Sequence, residues 1–239
     1  MGTLGDQFLG AFAEIENCMR LALGKQQRPR FMDLAREYVQ TYNLPPSYLI
    51  SLQTFAALRN AIDHNSHRGA YPIAEPISEI VDEIQRIQEK IKAPPLVLDL
   101  LPRMQVYSVD LQEEVSTALE YVRRFDFSQL PVYDSGRYAG ILTTNTIARW
   151  LAQQMVDAKE HRNAKISEVM QFREPSDCAV LADLDLTAAD AIHQLAHGGP
   201  QDGAVNALIL TANGSPTDRP IRVIAAYDVP LLTSALKFE

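Results

Sequence analysis

Several small groups of residues carry side chains whose type and spacing could do chemistry. The first is Leu58-Arg59-Asn60-Ala61-Ile62-Asp63-His64, with a guanidinium, an amide and an imidazole in one helical stretch. At about 100° per residue Asn60 and His64 share a face, whereas Arg59 lies about 140° from His64 and faces Asp63 four residues on. On the plain reading Arg59 and Asp63 form a surface pair and His64 caps the helix end; joint chemistry of Arg59 and His64 requires unwinding near His64 or a second subunit. A second group, Thr143-Thr144-Asn145-Thr146, delivers hydroxyls to a strand-to-helix turn. His193 and His197 have the spacing of zinc ligands on a helix face but no third ligand nearby in sequence, and Gly198-Gly199-Pro200 ends their helix. Asp183, Asp185 and Asp190 begin like a calcium loop yet lack its glycine and terminal glutamate, so they read as a turn and a helix start. Cys18 and Cys178 have no Cys or His at metal-ligand spacing, fall in different halves of the chain, and are expected as small buried hydrophobes. No metal is expected, and neither a Ser-His-Asp arrangement nor a Gly-rich phosphate loop after a strand is present.

The elements that must position these groups can be read from periodicity and turn chemistry. Leu130 to Tyr133 and Tyr138 to Leu142 are apolar runs joined by Asp134-Ser135-Gly136, which predicts one hairpin. Pro131 lacks an N–H, so its strand is expected at a sheet edge or starting there. Thr143, Thr144 and Asn145 cap a helix running through Ile147 and Trp150. Upstream, Phe8, Phe12, Ile15 and Met19 recur at helical spacing, as do Phe31, Leu34, Ala35 and Tyr38. Pro45 and Pro46 end the second helix and introduce a third carrying Leu49, Leu52, Phe55, Ala56 and Ile62. After a loop from Asn65 to Ala74, Pro76 suits the first turn of a fourth helix, with Ile77, Ile80, Val81, Ile84, Ile87 and Ile91 on one stripe. Four amphipathic helices over residues 1–93 predict an antiparallel helical bundle, and Pro94-Pro95 marks the boundary to an α/β part.

Composition narrows the class. The 239 residues are 46% hydrophobic and 22% charged, which suits a globular chain long enough for two domains. Residues 1–93 hold 10 basic and 11 acidic side chains, and the remainder 12 and 19, so the second part has the wrong sign for an extended nucleic-acid surface. Lys25, Arg28, Arg30, Arg36 and Arg59 are available for a local basic patch in the first part, although a solvated face is the plainer expectation. No apolar run approaches bilayer length and no secretory signal pattern opens the chain, so a cytoplasmic location without membrane contact is expected.

The second part repeats itself. Ser116-Thr117-Ala118-Leu119 matches Ala189-Asp190-Ala191-Ile192, Gly136 matches Gly214, and Gly140 to Ile147 matches Arg222 to Val229. The insertions fall in Gly/Pro-rich loops, which marks a structural repeat. Phe-Ser-x-Leu-Pro-Val, then Gly136, then Gly-Ile-Leu-Thr-x-x-x-Ile resembles the core of a CBS domain, and residues from Ile166 onward resemble a more divergent second copy. The resemblance implies a tandem CBS pair over about residues 96–235, as repeats 94–160 and 161–239, with two clefts for adenosine-containing ligands. It further implies that Thr143 faces a ligand phosphate and that Asp228 holds ribose hydroxyls. Thr146 stands where the first copy's ribose-binding Asp belongs, and Ala225 where the second copy's Thr belongs, leaving two half-equipped clefts. The helices, with Arg59, Asn60 and His64, resemble the HEPN family over about residues 4–92, some of whose members cleave RNA without metal across a dimer. The fold expected is therefore α plus α/β, a helical bundle followed by a CBS pair. The expected function is regulatory: the pair senses AMP, ADP, ATP or S-adenosylmethionine, requires no cofactor, and alters a dimeric helical domain. The alternative is a HEPN-type ribonuclease using Arg59 and His64, gated by the pair.

Overall fold

The computed structural model describes residues 3–27, 29–63, 74–102, 104–157 and 163–238. They divide into two compact units, one of Met1–Pro95 with Thr187–Asp190 and Thr233–Glu239, the other of Leu96–Leu186 with Ala191–Leu232.

The first unit contains α1 (Leu4–Ala22), α2 (Phe31–Thr41), α3 (Pro46–Asp63) and α4 (Ser78–Lys92). Thr3 opens α1 with a reciprocal cap: its hydroxyl accepts the Asp6 N–H at 3.1 Å while Asp6 accepts the Thr3 N–H at 2.9 Å. The four helices share one apolar core in which Phe8, Ile15, Met19, Leu34, Leu52, Phe55, Ile84 and Ile87 are fully enclosed. The isoleucine stripe of α4 holds from Val81 to Ile91, with two departures at its start. Pro76 lies before the helix rather than in its first turn, and Ile77 is the N-cap, whose extended backbone turns its side chain out to 61% exposure.

Residues 233–238 fold with these helices. Phe238 is buried and meets the Tyr48 ring edge-on at 4.8 Å, while Tyr48 donates its hydroxyl to the Leu236 carbonyl at 3.1 Å. Arg86 Nε and Lys90 Nζ donate to the carbonyls of Phe238 and Ala235 at 2.7 and 2.6 Å.

In the second unit the order is α5 (Val97–Leu100), β1 (Val109–Asp110), α6 (Val115–Phe125), β2 (Gln129–Asp134), β3 (Arg137–Thr143), α7 (Thr144–Asp157), α8 (Ile166–Val169), β4 (Ala179–Ala182), α9 (Ala188–His197), β5 (Ala207–Leu210), β6 (Arg222–Ile224) and α10 (Val229–Leu236). The first and last residues of α9 and α10, respectively, belong to the helical unit. Two three-stranded sheets result, ordered β1-β2-β3 and β4-β5-β6, and in each the first pair is parallel and the second antiparallel. The same topology is thus built twice. Ser135 and Gly136, both at positive φ, make the two-residue turn between β2 and β3. Gly214, matched to Gly136 by the repeat, also has positive φ.

Pro131 departs from expectation, since β2 is the central strand of its sheet rather than an edge. The ladder tolerates it because β1 reaches only Val132 and Tyr133, so no parallel partner faces Pro131. Cys18 and Cys178 are free thiols, half-buried rather than enclosed.

Candidate functional site

The last strand of each sheet runs into a turn that starts a helix, and the side chains at those turns decide what each repeat can hold. At the first, β3 ends on Thr143, whose hydroxyl accepts the Thr146 N–H at 3.0 Å and so caps α7. Thr143 and Thr146 are both buried, their hydroxyl oxygens 2.9 Å apart. Between them sits Asp177, also buried: Thr143 donates to its Oδ1 at 3.2 Å, and Thr146 and the Glu174 N–H donate to its Oδ2 at 3.1 and 2.9 Å. The Arg149 guanidinium closes the cluster with an ion pair to the same oxygen.

At the second turn β6 leads through residues 226–228 into α10. Asp228 is buried, accepts the Ala225 N–H on Oδ2 at 3.0 Å, and accepts Arg222 Nη2 on Oδ1 at 3.0 Å. Arg222 is itself buried and donates to the Pro102 carbonyl through Nη1, while its Nε is enclosed without a partner among the described residues. Asp228 lies in the wall of a cavity of about 1000 Å³. Its lining includes the apolar and aromatic Met104, Tyr107, Phe125 and Phe127 together with Ala225, Asp228 and Leu231. Tyr107 and Phe125 stack with ring centres 4.5 Å apart, and Phe127 lies 5.7 Å from Tyr107. Each oxygen of Asp228 uses one lone pair on the protein and retains another.

The two turns share a reciprocal logic. A full capping box needs a hydroxyl at the cap and a carboxylate three residues on. The first turn has the hydroxyl, Thr143, with Thr146 after it; the second has the carboxylate, Asp228, with Ala225 before it. Thr143 and Thr146 come together at one turn, and Asp228 stands alone at the other.

Arg59 is half-buried near the end of α3 and bonds Asn60 at 3.3 Å. His64 and the Asp63 side chain lie outside what the structure describes, as do Arg28 and most of the loop from Asn65 to Ala74. The basic side chains of the first unit are partly matched: Lys25 bridges Glu37 at 2.6 Å and Arg36 bridges Asp33 at 3.2 Å. His193 and His197 stack at 4.8 Å, and among the described residues no group of three or more His, Cys, Asp or Glu side chains is placed to hold a metal. Burial raises the Cys178 thiol above its ordinary range, with the neighbouring Asp177 charge adding to it, so Cys178 is a poor nucleophile.

Sequence reasoning missed Asp177, Arg149 and Arg222. Arg222 carried a signal: the repeat aligns it with Gly140, and a guanidinium in the run Arg-Val-Ile-Ala demands a buried partner. Asp177 carried none, because only the folded chain brings residues 143 and 177 together.

The family model of the CBS domain matches residues 97–153. No curated protein matches the chain. Among solved structures, a CBS-domain protein from Agrobacterium tumefaciens is 16% identical, covering 58% of this chain and 88% of its own, with a TM-score of 0.41. A CBS-containing hemolysin-like protein of Oenococcus oeni is 20% identical over 61% and 93%, with a TM-score of 0.40. CBSX2, crystallised with AMP, is 17% identical over 59% and 96%, with a TM-score of 0.41. No described helix is long and apolar enough to cross a membrane.

Proposed function

We propose that this chain is a regulatory ligand-binding protein. Residues of about 96–235 act as a tandem CBS pair that takes an adenine nucleotide or related adenosyl ligand, and binding alters a dimeric helical domain. The observation that carries this reading is the aromatic-walled cavity of about 1000 Å³ with the Asp228 carboxylate in its wall. Such a volume suits a nucleotide-sized ligand. Tyr107, Phe125 and Phe127 offer faces and edges for a purine, and the spare lone pairs of Asp228 accept ribose hydroxyls. Ala225 offers no hydroxyl to a phosphate, so the adenosine moiety carries most of the affinity.

AMP is the first probe. Titration calorimetry on the full chain should show binding that weakens at least tenfold in Asp228→Asn, a loss of about 1.4 kcal/mol or more. Equal affinity in the folded variant removes Asp228 from the site. The ribonuclease alternative has no favouring geometry among the described residues.

A further inference from the structure

The Thr143–Asp177 cluster keeps both of its hydroxyl protons to itself. Each threonine hydroxyl has one proton, and its acceptors lie within the cluster: Asp177, at Oδ1 for Thr143 and Oδ2 for Thr146, or the other hydroxyl 2.9 Å away. The Thr143 oxygen also accepts the Thr146 N–H. The Arg149 guanidinium is divided among Asp177, the Phe172 carbonyl at 2.9 Å and Glu174 at 3.5 Å. Asp177 therefore collects two hydroxyls, one backbone amide and one guanidinium, a donor set that would equally suit an oxyanion. Neither the cavity at Asp228 nor a second one of about 450 Å³ near Tyr133 is lined by Thr143, Thr146 or Asp177.

We infer that Asp177 is an internal anion occupying the phosphate corner of the first repeat: it closes that repeat to ligand, leaves nucleotide binding to the proposed Asp228 site, and conceals a latent phosphate site. The inference rests on reading Thr143 as a ligand-facing residue. Asp177 does more than compensate for the carboxylate absent at position 146. Its two oxygens span the hydroxyls of both positions that would face a ligand. Removing its side chain leaves Arg149 with the half-exposed Glu174 carboxylate at 3.5 Å as its remaining charged partner, and opens a space beside two hydroxyls and the Glu174 N–H, whereas an asparagine in its place still fills that space.

The test uses the full chain and inorganic phosphate. Asp177→Ala should bind phosphate at least tenfold more tightly than wild type, adding Thr143→Val should cancel the gain, and Asp177→Asn should show none. A folded Asp177→Ala chain without the gain, or a gain that survives Thr143→Val, overturns the inference. A second measurement needs no variant: in the wild-type chain, backbone amide resonances of Thr143 to Thr146 should stay in place on addition of phosphate or AMP, and their titration with Asp177 intact overturns it. Repeating the phosphate titration with Asp228→Asn added keeps this outcome separate from the Asp228 site, since phosphate capture at Arg149 does not depend on that carboxylate.

Discussion

At the scale of single residues, Asp228 is half of a buried charge pair, and the proposed ligand site depends on that pair as much as on its carboxylate. The side chains of Arg222 and Asp228 are only 8% and 11% exposed. Taking both charges out of water is costly, and their mutual attraction with good hydrogen bonds offsets that cost only while both are present. Either Asp228→Ala or Arg222→Met should destabilise the αβ unit by about 3–5 kcal/mol, because each leaves an uncompensated buried charge. The double replacement should recover most of the loss, since it removes both charges together. Urea denaturation of the two single variants and the double variant measures the coupling; simple additivity of the losses would show that the pair is not acting as a pair. For the same reason ligand loss alone is a weak criterion for Asp228→Ala; Asp228→Asn removes the same charge but keeps the volume and an amide oxygen that can accept from Arg222, so its stability is to be measured beside its binding.

At the scale of elements, α2 and α3 are anchored by buried phenols. Tyr38 donates to the Ile91 carbonyl at the end of α4 at 3.4 Å, and Tyr48 to the Leu236 carbonyl at 3.1 Å. Burial pushes the Tyr48 hydroxyl up to about 12 from an ordinary 10, and burial likewise raises Tyr38, with the nearby Tyr42 phenol adding to it. A folded-state pKa above the unfolded value means that the native state holds its proton longer. The associated stability is complete below pH 10 and is lost as pH rises through about 12. For Tyr48 alone the loss is on the order of 2 kcal/mol. Tyr48→Phe gives up a hydrogen bond, about 1 kcal/mol at neutral pH, but has no phenol to ionise. The two stability curves should therefore cross between pH 10 and 12, and parallel curves would assign the alkaline loss to other groups. These helices were legible in the sequence because Phe8, Phe12, Ile15 and Met19, and Val81 to Ile91, follow the helical period and bury as that period demands. The β2–β3 hairpin was legible because Ser135-Gly136 accepts the positive φ that a tight turn needs. Pro131 was misread because strand order depends on β1, a two-residue strand too short to leave a pattern. The Asp228 turn could be read from local residues, whereas Asp177 reaches Thr143 across 34 positions that no periodicity connects.

At the scale of the whole molecule, the chain is not partitioned in simple sequence order. Residues 233–238 follow the second sheet, yet they group with α1 to α4, and Phe238 joins the core those helices build. Their own sequence, Thr233-Ser234-Ala235-Leu236-Lys237-Phe238, has little pattern to announce this. The reason lies in α3 and α4, which present Tyr48, Arg86 and Lys90 to four features of the segment: the Phe238 ring and the carbonyls of Ala235, Leu236 and Phe238. Phe238 is 3% exposed, so its removal empties a core position instead of trimming a surface. Phe238→Ala should cost about 3–5 kcal/mol, as large-to-small changes at enclosed aromatics do. Because that position belongs to the helical unit, the loss should appear as faster native-state hydrogen exchange in the amides of α3 and α4, with β2 and β5 keeping their protection. Faster exchange in the strands with α3 and α4 unmoved would show that this segment supports the αβ unit instead, and would redraw the division of the chain.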